Sequence, residues 1–235
     1  AAFDSHRLFG FRHATSHVIP NGLDTQALAG AGADRHALRR ELGIASDAVL
    51  VGHLGRFTPE KDHPTLLRAF AAAALARPGL HLVAAGRGVN DGNPAIAHQL
   101  QACGLVSRVH LLGERGDPAR VLAGLDLFVL SSRHEGFPNA LLEAMALGLP
   151  CITTDCGDAP RLAGGAAQVV ARGDDRALAR AIGTLADLRP AQRQRLGAAG
   201  AARVARHFSL DAMCDGFESV WRGVAHGHPH HNKEN

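Results

Sequence analysis

Two glutamates open the chemical reading of this chain. They lie in Ser131-Ser132-Arg133-His134-Glu135-Gly136-Phe137-Pro138-Asn139-Ala140-Leu141-Leu142-Glu143, with seven residues between Glu135 and Glu143. The gap holds a turn and a helix start. A helix start presents free N–H groups and a positive dipole end, which attract anions. Pro138 has no N–H, so Asn139, Ala140 and Leu141 carry the amides that open the helix. The spacing puts Glu143 about two turns down the helix. Carboxylates so separated suit the two ends of an extended ligand better than a shared proton. A single glutamate on a helix is ordinarily an exposed charge or the partner of a base; the alternative is that Glu143 accepts both hydroxyls of a vicinal diol, as the acidic residue does on a ribose in dinucleotide-binding folds.

A second group of charges follows an earlier apolar run, in Gly55-Arg56-Phe57-Thr58-Pro59-Glu60-Lys61. Arginine grips phosphate oxygens with a planar fork and lysine adds a point charge, a combination suited to a diphosphate. Alone, such a pair reads as a solvated loop. Its co-location with Glu135 tips the reading toward a site.

Other motifs carry less. Gly86-Arg87-Gly88 and Gly164-Gly165 read as turns. No complete dinucleotide fingerprint, no phosphate loop ending in Gly-Lys-Ser/Thr and no Gly-x-Ser-x-Gly elbow occurs. The fifteen histidines match no zinc spacing in the expected folded region. No metal is expected.

These residues need a scaffold. Apolar runs predict strands at 48–55, 81–86, 108–113, 127–130, 151–154 and 167–170. Helical periodicity falls at 34–42, 64–77, 94–103, 117–123, 138–147, 174–186, 191–207 and 210–224. Val18-Ile19-Pro20-Asn21-Gly22-Leu23-Asp24 reads as a short strand and a tight turn. Strand–helix alternation of this kind specifies an α/β fold: a Rossmann-like, parallel, six-stranded sheet with helices on both faces. Right-handed crossovers place the loops beginning at Arg56, Arg87, Glu114, Ser131 and Asp155 on one edge.

Composition sets the outer limits. The chain has 235 residues, 46% of them hydrophobic, and a net charge of +3. That charge does not call for nucleic acid. No apolar run is long enough for a membrane span, and the first residues lack the basic start and apolar core of a secretory signal. Cys103, Cys151, Cys156 and Cys214 form no Cys-x-x-Cys pair and read as reduced thiols of a cytoplasmic protein.

Taken in order, the motifs resemble the carboxy-terminal domain of family-four retaining glycosyltransferases, enzymes of two facing Rossmann-like domains called the GT-B architecture. The resemblance runs over about residues 18–224. It rests on the 18–24 segment as interdomain linker, Gly55-Arg56 with Lys61, the glutamate region, and Cys156-Gly157-Asp158-Ala159-Pro160 followed by Val169-Val170. It implies a nucleotide-sugar donor (UDP-, GDP- or ADP-linked), with Arg56, Lys61 and Glu135 as catalytic residues. It further implies that Gly55, Arg115, Phe137, Asn139, Ala140, Leu141 and Glu143 bind the donor: the Gly113–Arg115 loop the base, Glu143 the ribose, and Asn139 to Leu141 the phosphates. No cofactor or metal is implied. The acceptor, a glycan or lipid-linked glycan of a surface polysaccharide or lipopolysaccharide, would be met through an amino-terminal domain, so the chain alone is expected to be inactive. The full protein is expected in the cytoplasm or at the inner face of the membrane. Two alternatives remain: a binding-only subunit working with a separate acceptor-domain protein, and a nucleotide-sugar epimerase.

The expected division is a remnant of the amino-terminal domain and linker (1–20), the donor domain (21–208), a crossover helix (209–225) presenting Phe217 and Trp221, and a disordered tail (226–235).

Overall fold

A computed structural model describes residues 17–31 and 35–226. The expected remnant up to residue 16 and the tail beyond 226 lie outside them. In chain order the elements are α1 (Thr25–Ala31), α2 (Ala37–Glu41), β1 (Val49–Leu54), α3 (His63–Ala74), β2 (Leu80–Ala85), α4 (Pro94–Ala102), β3 (Val109–Leu111), α5 (Pro118–Ala123), β4 (Leu127–Leu130), α6 (Asn139–Ala146), β5 (Cys151–Thr154), α7 (Ala159–Ala163), β6 (Gln168–Val170), α8 (Asp175–Ala186), α9 (Pro190–His207) and α10 (Leu210–His226).

The six strands form one sheet in the order β3-β2-β1-β4-β5-β6, and every pairing is parallel. The chain starts at the centre, winds outward through β2 and β3, then returns to pair β4 with β1. The order therefore reverses between β1 and β4, and the crevice outside their carboxyl ends is where sheets of this kind bind ligands.

Alternation along the strands explains the two layers. Val51, Leu82, Val129 and Ile152 face one core with Leu66, Phe70, Leu178 and Ile182 of α3 and α8. Leu50, Val83, Phe128 and Cys151 face a second core with Leu141, Met145 and Val204 of α6 and α9. Strands buried on both faces read as near-continuous apolar runs, as β4 does; β5 is buried throughout but ends in Thr153 and Thr154, whose hydroxyls bond carbonyls, and both strands match their expected bounds.

The shorter segments depart from expectation. Among the described residues no strand precedes β1: Leu23 makes a lone bridge to Ser209, with its N–H donating to the Phe208 carbonyl at 2.8 Å. A ladder needs several successive partners, and Pro20 lacks the donor to extend one. The helical stretch at 34–42 shortens to α2. Helix α7 forms in the expected loop after β5, and α1 in a stretch for which no element is expected.

Candidate functional site at the sheet switch point

The loops after β1 and β4 meet at the reversal of strand order. From Leu54 the chain runs beside the loop after β2: the Gly55 N–H donates to Ala85 at 2.9 Å and the Phe57 N–H to Arg87 at 2.8 Å. A 3₁₀ turn over Pro59–Lys61 then ends at Asp62, whose backbone is left-handed (φ 49°) and whose carboxylate caps α3 at the Thr65 N–H. Asp62 is the sole non-glycine residue with positive φ among the described residues. Asparagine and aspartate bear this conformation best, at a cost of about 1–2 kcal/mol.

The turn delivers Lys61 to Glu135. The ammonium lies 2.6 Å from Oε1, with the lysine side chain 20% and the glutamate 9% exposed. The Ser132 hydroxyl donates to the same oxygen at 2.6 Å. Further bonds tie one loop to the other. The Ser131 hydroxyl donates to the Lys61 carbonyl at 2.8 Å, Arg133 Nε pairs with Asp62 at 2.8 Å, and the Arg133 N–H meets the Glu60 carbonyl at 2.7 Å. Behind them, Thr154 donates to the Ser132 carbonyl. Gly157, at φ +53°, sits so close that a Cβ would lie 1.9 Å from the Glu135 carbonyl oxygen.

Two buried histidines underlie the turn. His53 Nδ1 is 3.0 Å from the Val129 carbonyl, which requires that nitrogen to carry the proton. Its ring meets that of His63 edge-on, 4.8 Å between centroids. Burial pushes His53 down to about 4. Burial, then the neighbouring His53 and Lys61 charges, push His63 down to about 3. Both rings are neutral at pH 7.

The remaining expected residues divide into open and committed groups. Arg56 is exposed and lines a cleft of about 250 Å³ with Gly55, Gly86, Arg87 and Arg115. Glu143 is half-buried on α6, one turn in from the start rather than two. Its carboxylate meets no side chain or N–H among the described residues, and burial raises its pKa above the ordinary glutamate value. At the helix start the Asn139 N–H is taken by the Phe137 carbonyl and the Leu141 N–H by Pro138 (3.1 Å each). Of the three expected amides, Ala140 alone keeps its N–H clear of backbone carbonyls. The Leu141 side chain is fully buried. The Phe137 ring packs against Phe208, 6.0 Å between centroids, and so braces the loop from the core side. Arg115 lines the cleft with its guanidinium held by Glu41 at 2.6 Å and Asp117 at 2.7 Å.

Sequence reasoning did not single out Asp62, Ser131, Ser132, Arg133 or the two buried histidines. One signal was present: Asp62 directly precedes His63-Pro64 and a helical run, the signature of a helix cap.

The architecture is that of a doubly wound sheet with a cation–carboxylate site at its switch point. Residues 48–187 match the family described as glycosyl transferases group 1, and the chain belongs to that family. It is 27% identical over 230 residues to the lipopolysaccharide core biosynthesis mannosyltransferase LpsB of Rhizobium meliloti, a match covering 94% of this chain and 64% of LpsB. A GDP-mannose-dependent phosphatidylinositol monomannoside mannosyltransferase of Corynebacterium glutamicum is 29% identical over 217 residues, 86% of this chain and 54% of that protein. Among solved structures, Anabaena HepE in complex with UDP and glucose superposes with a TM-score of 0.80 at 24% identity, over 94% of this chain and 60% of HepE. The chain thus spans about half to two thirds of the length of these proteins.

Proposed function

We propose that this chain is the nucleotide-sugar donor-binding part of a retaining glycosyltransferase. The Lys61–Glu135 pair at the switch point, together with a half-buried Glu143 whose carboxylate has no partner among the described residues, carries this reading. A half-buried carboxylate without a partner is a cost to the empty protein, and a diol with two hydroxyl donors offsets it. Glu143 then binds the ribose, and the cleft at Gly55, Arg56 and Arg115 receives the base. Arg56 is exposed and free to swing onto the diphosphate, while Lys61 exchanges its carboxylate partner for a phosphate oxygen. Released from Lys61, Glu135 accepts hydroxyls of the donor sugar.

The reaction breaks the bond between the anomeric carbon and the diphosphate oxygen. Positive charge develops on the sugar and negative charge on the leaving group. Lys61, Arg56 and the Ala140 amide meet that negative charge and stabilise it more than the ground state. Cations of the chain do this work, so no metal is required: chelation is expected to leave donor affinity unchanged.

The family relationship with LpsB and the phosphatidylinositol monomannoside enzyme supports a surface glycan or a lipid-linked glycan as acceptor. Acceptor contacts are assigned to a part of the enzyme outside this chain, and the chain alone is expected to bind donor without transfer. The site of action is proposed as the cytoplasm or the inner face of the membrane; among the described residues no helix is long and apolar enough to cross one. Calorimetric titration with UDP, GDP, ADP and their sugars tests the reading. Saturable binding of one nucleotide supports it and names the base; sugar transfer by the isolated chain would refute the assignment of acceptor contacts elsewhere.

A further inference from the structure

A larger cavity, about 560 Å³, opens at the opposite edge of the sheet, where the chain enters β4 and β5. Arg35, Arg193 and Gln194 line it, together with the apolar Leu125, Leu147 and Ala198. Asp126 is the one acidic residue among its lining groups. That carboxylate is already well served from behind. Arg39 pairs with Oδ2, and the Leu50 N–H donates to the same oxygen at 2.8 Å. Arg39 also bonds the Ala48 carbonyl at 2.8 Å, deep in the chain and outside the cavity lining.

Three guanidiniums therefore surround one carboxylate. Arg35 reaches Oδ1 at 3.1 Å with a side chain 60% exposed. Arg193 is only 8% exposed. Its Nη1 bonds the Ala186 and Leu188 carbonyls at 3.1 and 2.8 Å, while Nη2 stops 3.9 Å from Asp126, beyond hydrogen-bond reach. Among the described residues the surplus is two positive charges, one of them almost removed from water, where a guanidinium lacking a full partner is costly. Pro190 and Ala191, the first residues of the 18-residue α9, line the same cavity and bring its positive dipole end to it. The wall is stiff: a Cβ on Gly197 would lie 1.6 Å from the Gly148 carbonyl oxygen, so α9 lies directly on the turn before β5.

We propose that this cavity binds a phosphate monoester. Its dianionic phosphate matches the two surplus guanidiniums, and forked donors suit phosphate oxygens. The apolar wall takes the organic part. The site lies beyond β4 from the donor crevice and is independent of the donor reading.

Inorganic phosphate is the probe, titrated into the whole chain and followed by amide NMR, with acetate as a monoanionic comparison. The titration uses an Arg56→Ala/Lys61→Ala background, so that the donor loops do not respond. Saturable shifts of the Gly148, Ala191 and Ala198 amides are expected with phosphate, and weaker ones with acetate. Arg35→Gln, at an exposed position that folding tolerates, is expected to weaken phosphate about tenfold; adding Arg193→Gln is expected to abolish it. No saturable shift at those amides, equal affinity for acetate, or unchanged affinity in Arg35→Gln would each overturn the proposal.

Discussion

Glu143 carries a cost to stability that the proposed ribose contact offsets. Its carboxylate is half-buried without a partner, and burial holds its pKa above the ordinary glutamate value. The folded protein therefore keeps this proton to higher pH than the unfolded chain, so its ionisation lowers stability as pH rises between the ordinary and the raised value. Glu143→Gln removes that penalty: the variant is expected to melt slightly above the parent at neutral pH, yet to bind nucleotide about 1.5–3 kcal/mol more weakly, the worth of a hydrogen bond to a charged group. Equal melting and equal affinity would contradict the ribose assignment. His53 and His63 act in the opposite direction. Both are pushed down from 6.5, to about 4 and about 3, so the unfolded chain takes up protons that the folded one refuses. Stability is expected to fall by several kcal/mol as pH drops from 6.5 towards 4. Denaturant melts at stepped pH check this, and His63→Leu is expected to flatten part of that slope.

At the scale of elements, the site is a junction between two loops rather than a feature of either. Asp62 caps α3, bears a left-handed backbone and holds Arg133. Asp62→Ala loses all three functions and is expected to cost roughly 2–4 kcal/mol from the lost cap and the strain together, with nucleotide affinity falling as the Lys61 turn loosens. Thermal melts beside calorimetry separate the two effects. Gly157→Ala is expected to displace the Glu135 backbone, since its Cβ would overlap the carbonyl, and to reduce sugar-nucleotide binding more than binding of the nucleotide alone. The long-range wiring also marks where sequence reading stops. Strand β4 was legible because both faces are buried and every residue is apolar, and β5 because it is buried throughout and built of an apolar start and β-branched Ile152, Thr153 and Thr154. The placement of Arg56, Lys61 and Glu135 after strands and of Glu143 on a helix was legible because the flanking strands and helix have clear periods. The Lys61–Glu135 contact spans 74 positions, and the clamp on Arg115 comes from Glu41, on a five-residue helix. No local periodicity reports such contacts. Helix α7 has five residues, too few for a period of 3.6 to be recognised.

At the scale of the molecule, the sheet offers two edges of different character: the switch-point crevice proposed for the donor and an arginine-lined cavity at the other end of β4. Helix α10 adds an exposed apolar stripe. Phe217 and Trp221 lie 6.0 Å apart, and Trp221 is 67% exposed. Because Trp221 buries little within the chain, Trp221→Ser is expected to change its stability by less than about 0.5 kcal/mol and to leave nucleotide binding intact, as melts and titrations would read. In the proposed function, the switch point between β1 and β4 binds a nucleotide-sugar diphosphate through cations of the chain. The most direct test is a calorimetric titration of the parent chain and of Arg56→Ala/Lys61→Ala with the preferred nucleotide sugar. Saturable binding to the parent that is lost in the variant is the predicted result; equal affinity in the two proteins would contradict the account.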